Sequence, residues 1–285
     1  MEINLLFAID QRFVRQLKTT LYSIQKNSSA TTYNVYLLHP EETTFDEELT
    51  VFCQLLGMNY YPLKMDRATL FAQAPVTERY PEIIYYRLLA HQFLPDHLEK
   101  ILYLDADILC INDAVELYQM EMGDYLYAAA SHTHLTNVTN VINKIRLKTY
   151  EAEGYYNSGV LLMNLKQIRK VVKAEDIFTF IENNRLNLLL PDQDILNGLY
   201  GDQFIAVSDF LFNYDVRKSA VYETTSLGKW DVNHLIEETV FLHFCGKSKP
   251  WDETYKGKFA TLYKHYQHKA GQLGNNVNVT RRKTR

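Results

Sequence analysis

Through its first hundred residues the chain alternates between two hydrophobic periods, and that alternation limits its fold more than any other feature. INLLFAI (3–9) is a continuous apolar run of buried-strand type, after which Leu17, Leu21 and Ile24 recur at helical spacing. YNVYLLH (33–39) reads as a second strand, DEELTVFCQLLG (46–57) as a helix closed by Gly57, and NYYPLKM (59–65) as a third, irregular strand. Strand–helix–strand–helix order implies an α/β architecture with a mostly parallel sheet covered on both faces. Ligands are then expected beyond the carboxyl ends of the strands.

The rest of the chain continues in the same manner. EIIYYRLLAHQFL (82–94) has a helical pattern that stops before Pro95, and KILYLDADIL enters as a strand apolar enough to be central. DYLYAAAS (124–131) reads as a strand, and the polar stretch from His132 to Gly154 as an active-site loop or a small helical insertion. NSGVLLMNL (157–165) and QFIAVS (203–208) follow as strands, with AEDIFTFIENN (174–184) and DQDILNGLYG (192–201) as helices between them. No repeat or Pro-rich linker divides the chain, so residues 1–267 are expected to form one catalytic domain. From Gly271 the sequence GQLGNNVNVTRRKTR lacks large aromatics and ends in basic residues. Residues 268–285 are therefore expected to be a flexible basic tail, with at most a peripheral contact to an anionic membrane or a partner.

Composition narrows the class of function. Thirty Lys and Arg stand against 34 Asp and Glu, a net charge of −4, so no global field attracts nucleic acid. Cys53, Cys110 and Cys245 are odd in number and lie far apart in apolar or aromatic contexts, which suits a reducing compartment. MEINLLFAID lacks the basic start and cleavage site of a secretory signal, and no run approaches the roughly 20 apolar residues of a membrane span. A cytoplasmic location is expected, peripheral to the inner membrane face if the tail engages it. The sequons at Asn27, Asn137 and Asn278 are then chance matches.

ILYLDADILC (101–110) carries two carboxylates, Asp105 and Asp107, into an apolar run. Residues two apart in a strand share a face, and two parallel carboxylates repel unless one protonates or a cation lies between them. A divalent metal resolves the conflict; if the strand has already ended, the pair is instead two solvated loop acids. An apolar strand ending in Asp-x-Asp also suggests a phosphatase of the haloacid dehalogenase type, in which the first Asp is a nucleophile. That motif normally ends the first strand of its domain and has Thr or Val where this chain has Leu109. Three further stretches carry polar groups near expected strand or helix ends. These are FAIDQRF (7–13), PDQDILN (191–197) and HFCGKSKPW (243–251), the last combining a histidine with two lysines.

Taken in order, FAID, YYRLLA, LYLDADIL, YYNSGVLLMNL, PDQDILN and HFCGKSKPW resemble the motif set of glycosyltransferase family 8, across residues 3 to 252. The resemblance implies a GT-A type nucleotide-diphospho-sugar transferase fold, with a mixed, mostly parallel central sheet flanked by helices. It implies a UDP-sugar donor, a Mn²⁺ or Mg²⁺ ion, and transfer with retention of anomeric configuration. Asp105, Asp107 and His243 match the metal ligands, and a nitrogen donor beside oxygens favours Mn²⁺. Ala8 and Asp10 match uracil and ribose contacts, and Arg12 stands where the family often has Asn. Arg87 matches the arginine that reaches the donor sugar and phosphates, Ala106 lies between the metal-binding acids, and Gly246 and Lys249 match the loop over the diphosphate. Asn157, Asp192 and Gln193 match residues lining the donor sugar. Asp192 is expected on the sugar hydroxyls and Gln193 beside the anomeric carbon, opposite the leaving group. Glutamine is a poor nucleophile, which favours front-face attack within an ion pair.

The expected activity is transfer of glucose or galactose to a glycan acceptor, free, lipid-linked or protein-linked. The motifs leave both hexoses open, because they differ in one hydroxyl orientation. The acceptor is expected between the 132–154 stretch and the 213–232 region. A non-catalytic UDP-sugar-binding protein is the alternative of a different class.

Overall fold

The computed structural model describes residues 1–65, 82–131 and 154–283, with side chains described to residue 273. The larger sheet has the order β3-β2-β1-β4-β7-β6-β8. Its strands are β1 (Glu2–Ala8), β2 (Thr32–Pro40), β3 (Asn59–Met65), β4 (Lys100–Leu104), β6 (Tyr127–Ser131), β7 (Tyr156–Asn164) and β8 (Phe204–Val207). β1 pairs in parallel with β2 and β4, β2 with β3, and β6 with β8. β7 alone is antiparallel, to β4 on one side and β6 on the other. Pro62 is tolerated because β3 is an edge strand, where a missing N–H breaks no ladder.

Alternation along each strand builds two cores. Leu5, Phe7, Val35, Leu37, Leu102, Leu104 and Leu162 face the layer containing the helices Val14–Asn27 and Asp46–Leu55. Leu6, Tyr36, Leu38, Tyr103, Leu161 and Met163 face the opposite layer, which contains Ile168, Ile177 and Ile195 of the helices Leu165–Val171, Ala174–Asn184 and Pro191–Tyr200. Each such buried side chain contributes about 1.5–3 kcal/mol of transfer free energy, which holds the strand ends in register. Cys53 and Cys110 lie in the first core as small hydrophobes, and all three cysteines are unpaired.

Three differences from the sequence reading bear on the site. First, the apolar run at 101–110 is two strands. β4 ends at Leu104, and β5 (Ile108–Cys110) belongs to a second sheet of order β5-β10-β9, with β9 at Tyr214–Asp215 and β10 at Phe241–His243. Asp105 and Asp107 thus occupy the turn between the sheets rather than one strand face. Second, the helical pattern of 82–94 is realised over Glu82–Gln92 as 3-10 turns with a break at Leu89. Residues 83 and 85–91 are all buried, so the segment has no polar face, and Arg87 Nε donates to the Ile84 carbonyl at 3.2 Å. Third, the terminal helix Ala260–Lys283 crosses the expected domain limit at 267. Ala270 is buried in the first core, small enough for this helix to approach Val14–Asn27. The basic side chains from Arg281 to Arg285 lie outside the described residues, as does the expected loop from 132 to 153. Among the described residues no helix is long and apolar enough to cross a membrane.

Candidate active site

The turn after β4 is anchored from three directions. Asp105 N donates to the Gly159 carbonyl of β7 at 2.8 Å, and Phe244 N donates to the Asp107 carbonyl at 3.1 Å. The Thr20 hydroxyl, from the helix Val14–Asn27, lies 3.0 Å from the Ala106 carbonyl oxygen and 2.7 Å from that of Ile108. Antiparallel pairing of β5 with β10 sets His243 opposite Ile108. These backbone rungs bring together two acids and an imidazole that lie more than 130 residues apart in sequence.

The side chains converge. His243 Nε2 lies 3.3 Å from Asp107 Oδ1 and 3.8 Å from Asp105 Oδ2, and one ligand atom from each of the three residues lies within 4.8 Å of the others. Gly159 makes the room: a Cβ there would stand 2.3 Å from His243 Cε1 and 2.8 Å from Asp105 Oδ2. Two carboxylate oxygens and one imidazole nitrogen suit a six-coordinate divalent cation, so the residues fit the expected metal.

Cations balance the acids. Lys249 Nζ reaches Asp107 Oδ2 at 2.5 Å and the Phe244 carbonyl at 2.9 Å. Burial works against the charged form of Asp107, but His243 and Lys249 outweigh it and hold the carboxyl well below the usual range. Arg87 is buried between two acids, with Nη2 2.9 Å from Asp105 Oδ1 and Nε 3.4 Å from Asp192 Oδ2. Its Nη1 donates to the Ser158 carbonyl at 2.8 Å, and its guanidinium lies over the Tyr103 ring at 4.2 Å. Burial opposes its charge, yet Asp105 and the other neighbours raise its pKa further, so Arg87 stays cationic. For Asp192 the balance goes the other way: burial raises its pKa despite Arg87 and a 2.8 Å hydrogen bond from Ser158.

Asp192 and Gln193 begin the helix Pro191–Tyr200, where Pro191 presets the first turn. Asn197, one turn on, accepts from Tyr156 N at 2.6 Å and donates to the Tyr156 and Gln193 carbonyls at 2.8 Å, fastening this helix to the start of β7. Asn157 Nδ2 then donates to Gln193 Oε1 at 3.2 Å. β1 pairs with β4 at Leu5–Leu102 and Leu6–Tyr103, and Ala8 is its last residue. Asp10 caps the turn Gln11–Phe13 and pairs with Arg12 at 2.7 Å. Gly246 adopts φ +90°, and a Cβ there would meet Arg217 Nη1 at 2.7 Å.

Arg87, Asp105, Asp107, Asp192, His243 and Lys249 are thus linked by direct contacts, while Asn157 pairs with Gln193 and Asp10 with Arg12. The sequence reading missed Ser158, Gly159 and Asn213, whose amide lies 2.8 Å from both His243 Nδ1 and Asn157 Oδ1. A glycine inside the strand pattern NSGVLLMNL was the available sign of a close approach at 159; Asn213 carried no local signal.

The family model for glycosyl transferase family 8 matches residues 4–255. The chain belongs to glycosyl transferase family 8. Among the relatives of this family-8 chain is a lipopolysaccharide 1,2-glucosyltransferase of Escherichia coli, 28% identical over 258 residues, covering 88% of this chain and 73% of the relative. Glycosyltransferase GlyE of Streptococcus pneumoniae is 25% identical over 269 residues, 91% of this chain and 59% of the relative. The crystal structure of galactosyltransferase LgtC with donor and acceptor sugar analogs aligns with a TM-score of 0.78 at 22% identity, covering 94% of this chain and 96% of that one. The fold is GT-A, and the activity class is glycosyl transfer. Neither the phosphatase nor the binding-only alternative is favoured by these findings.

Proposed function

We propose that this chain is a metal-dependent, retaining transferase that moves glucose or galactose from a UDP-sugar to a saccharide acceptor, free or carried on a lipid or protein. The observation that carries the reading is the convergence of Asp105, Asp107 and His243 at the carboxyl end of β4, with Gly159 leaving space beside them. Asp105, Asp107 and His243 would hold Mn²⁺, or Mg²⁺, which when bound supplies positive charge to the donor's pyrophosphate.

The remaining steps belong to side chains. Lys249, paired with Asp107, would turn to the diphosphate as the sugar–phosphate bond breaks and negative charge grows on UDP. Gly246 lets the backbone of that loop approach the phosphates. Arg87 holds Asp105 and Asp192 apart and offers its cation to the sugar and phosphates. Asp192 and Asn157 bind the sugar hydroxyls, with Gln193 beside the anomeric carbon. Ala8, Asp10, Arg12 and Ala106 line the uridine side. A glutamine amide is too weak a nucleophile to form a stable covalent adduct, so the acceptor hydroxyl attacks on the face that UDP leaves, and the departing phosphate oxygen takes its proton.

The test uses UDP-glucose, UDP-galactose and UDP-N-acetylglucosamine with Mn²⁺, following hydrolysis and transfer. Asp105→Asn and Asp107→Asn should each lower turnover at least about 100-fold with the fold intact. Unchanged turnover in both variants overturns the reading.

A further inference from the structure

Asn213, the residue just before β9, is fully buried and spends both ends of its amide on the site. Its Oδ1 lies 2.8 Å from His243 Nδ1, and its Nδ2 donates to Asn157 Oδ1 at 2.8 Å. The same Asn157 oxygen accepts from Gly159 N at 2.9 Å, and Asn157 Nδ2 donates to Gln193 Oε1 at 3.2 Å. A hydrogen-bonded series therefore runs from His243 through Asn213 and Asn157 to Gln193.

The direction of every bond in that series is fixed by one backbone group. Gly159 N–H can only donate, so the atom of Asn157 beside it must be oxygen. The atom of Asn213 facing that oxygen must then be its NH₂, which turns the Asn213 oxygen towards His243. A carbonyl oxygen only accepts, so His243 Nδ1 carries a proton in either protonation state, and Nε2, which faces Asp105 and Asp107, is the nitrogen left to offer a lone pair to the cation. In the other direction, Asn157 has only its NH₂ left for Gln193, and this holds the Gln193 carbonyl oxygen towards Asn157.

We infer that Asn213 is a positioning residue that couples the two halves of the reaction centre, fixing the histidine nitrogen that meets the cation and the amide orientation of Gln193. The inference rests on the metal-dependent reading above. It predicts that the two ends of Asn213 are separable. Asp keeps an acceptor for His243 but cannot donate to Asn157, whereas Ala removes both.

The experiment measures Mn²⁺ affinity in the presence of UDP, from the electron paramagnetic resonance signal of free Mn²⁺, alongside kcat and KM for the donor. Asn213→Ala should weaken Mn²⁺ binding about 10-fold or more and lower kcat. Asn213→Asp should bind Mn²⁺ within about threefold of the parent, or more tightly, yet lose about 10-fold or more in kcat with KM little changed. Mn²⁺ affinity in Asn213→Ala within about twofold of the parent overturns the inference, as does Asn213→Asp failing as badly as Ala in Mn²⁺ binding, the mark of a packing role alone. If the Ala variant does not fold, the near-isosteric Asp variant decides, and an unimpaired kcat there overturns the proposal. Asp105→Asn in the same titration keeps the two readings distinct: retained Mn²⁺ affinity overturns the cation site itself, whereas lost affinity beside an indifferent Asn213 overturns the coupling alone.

Discussion

Gly159 is where a single atom has most influence on the site. An added methyl would stand 2.3 Å from the His243 ring, which is itself tied to Asn213, so the ring cannot withdraw without breaking a buried hydrogen bond. Gly159→Ala should weaken Mn²⁺ binding and lower turnover about 100-fold, while overpacking costs about 1–3 kcal/mol of stability. Metal titration and thermal melting check the two effects separately. Arg87→Ala should act chiefly on the fold. It strands Asp105 and Asp192 without their shared cation, and a loss of about 3–5 kcal/mol in denaturant unfolding is the expected result. At this scale the sequence was informative for residues whose chemistry is rare in an apolar context, such as Asp105, Asp107 and His243. It was silent on Asn213, because a buried amide in FLFNYD has no pattern until a partner 56 residues away is known.

Among the elements, the irregular segment Glu82–Gln92 couples the fold to pH. His91 is buried there, and burial, aided by Arg169, lowers its pKa from 6.5 to about 4. Because the folded-state value lies below the unfolded one, the neutral ring contributes its full stabilisation above pH 6.5 and loses it as pH falls towards 4. Unfolding free energy should therefore drop by up to about 3 kcal/mol across that window. His91→Gln should flatten this part of the profile in urea titrations at successive pH values; an unchanged slope would show that His91 is not its source. The long strands β1, β2 and β7 were legible because burial on both sheet faces leaves continuous apolar runs. The second sheet was not, since strands of two or three residues are too short to show a period. At 82–92 the helical pattern was legible but its 3-10 geometry was not, for a related reason: without a polar face, an apolar run does not reveal which helical geometry it adopts.

For the whole molecule, ligand linkage gives the broadest test. If cation and nucleotide bind the folded chain together, Mn²⁺ with UDP at about 100 times their dissociation constants should add about 2.7 kcal/mol. In a chain of this size that corresponds to a rise of roughly 4–5 °C in Tm. Neither component alone should match it, and a chelator should reverse it; equal shifts in Asp105→Asn would point to binding elsewhere. The α/β class and the side of the sheet that holds the site followed from the order of elements, but the arrangement of the two sheets did not, because it depends on a break at Leu104 within an unbroken apolar run. That break has a mechanical consequence. Asp107 and the chain at His243–Phe244 are laced together by the β5–β10 rungs and by the amide of Phe244, so the acid and the imidazole form one stiff jaw. Asp105, hung from β7 through the Gly159 carbonyl, belongs to the opposing jaw, and Ala106, held at its carbonyl by the Thr20 hydroxyl, is the single residue that spans the two and so sets the width of the grip.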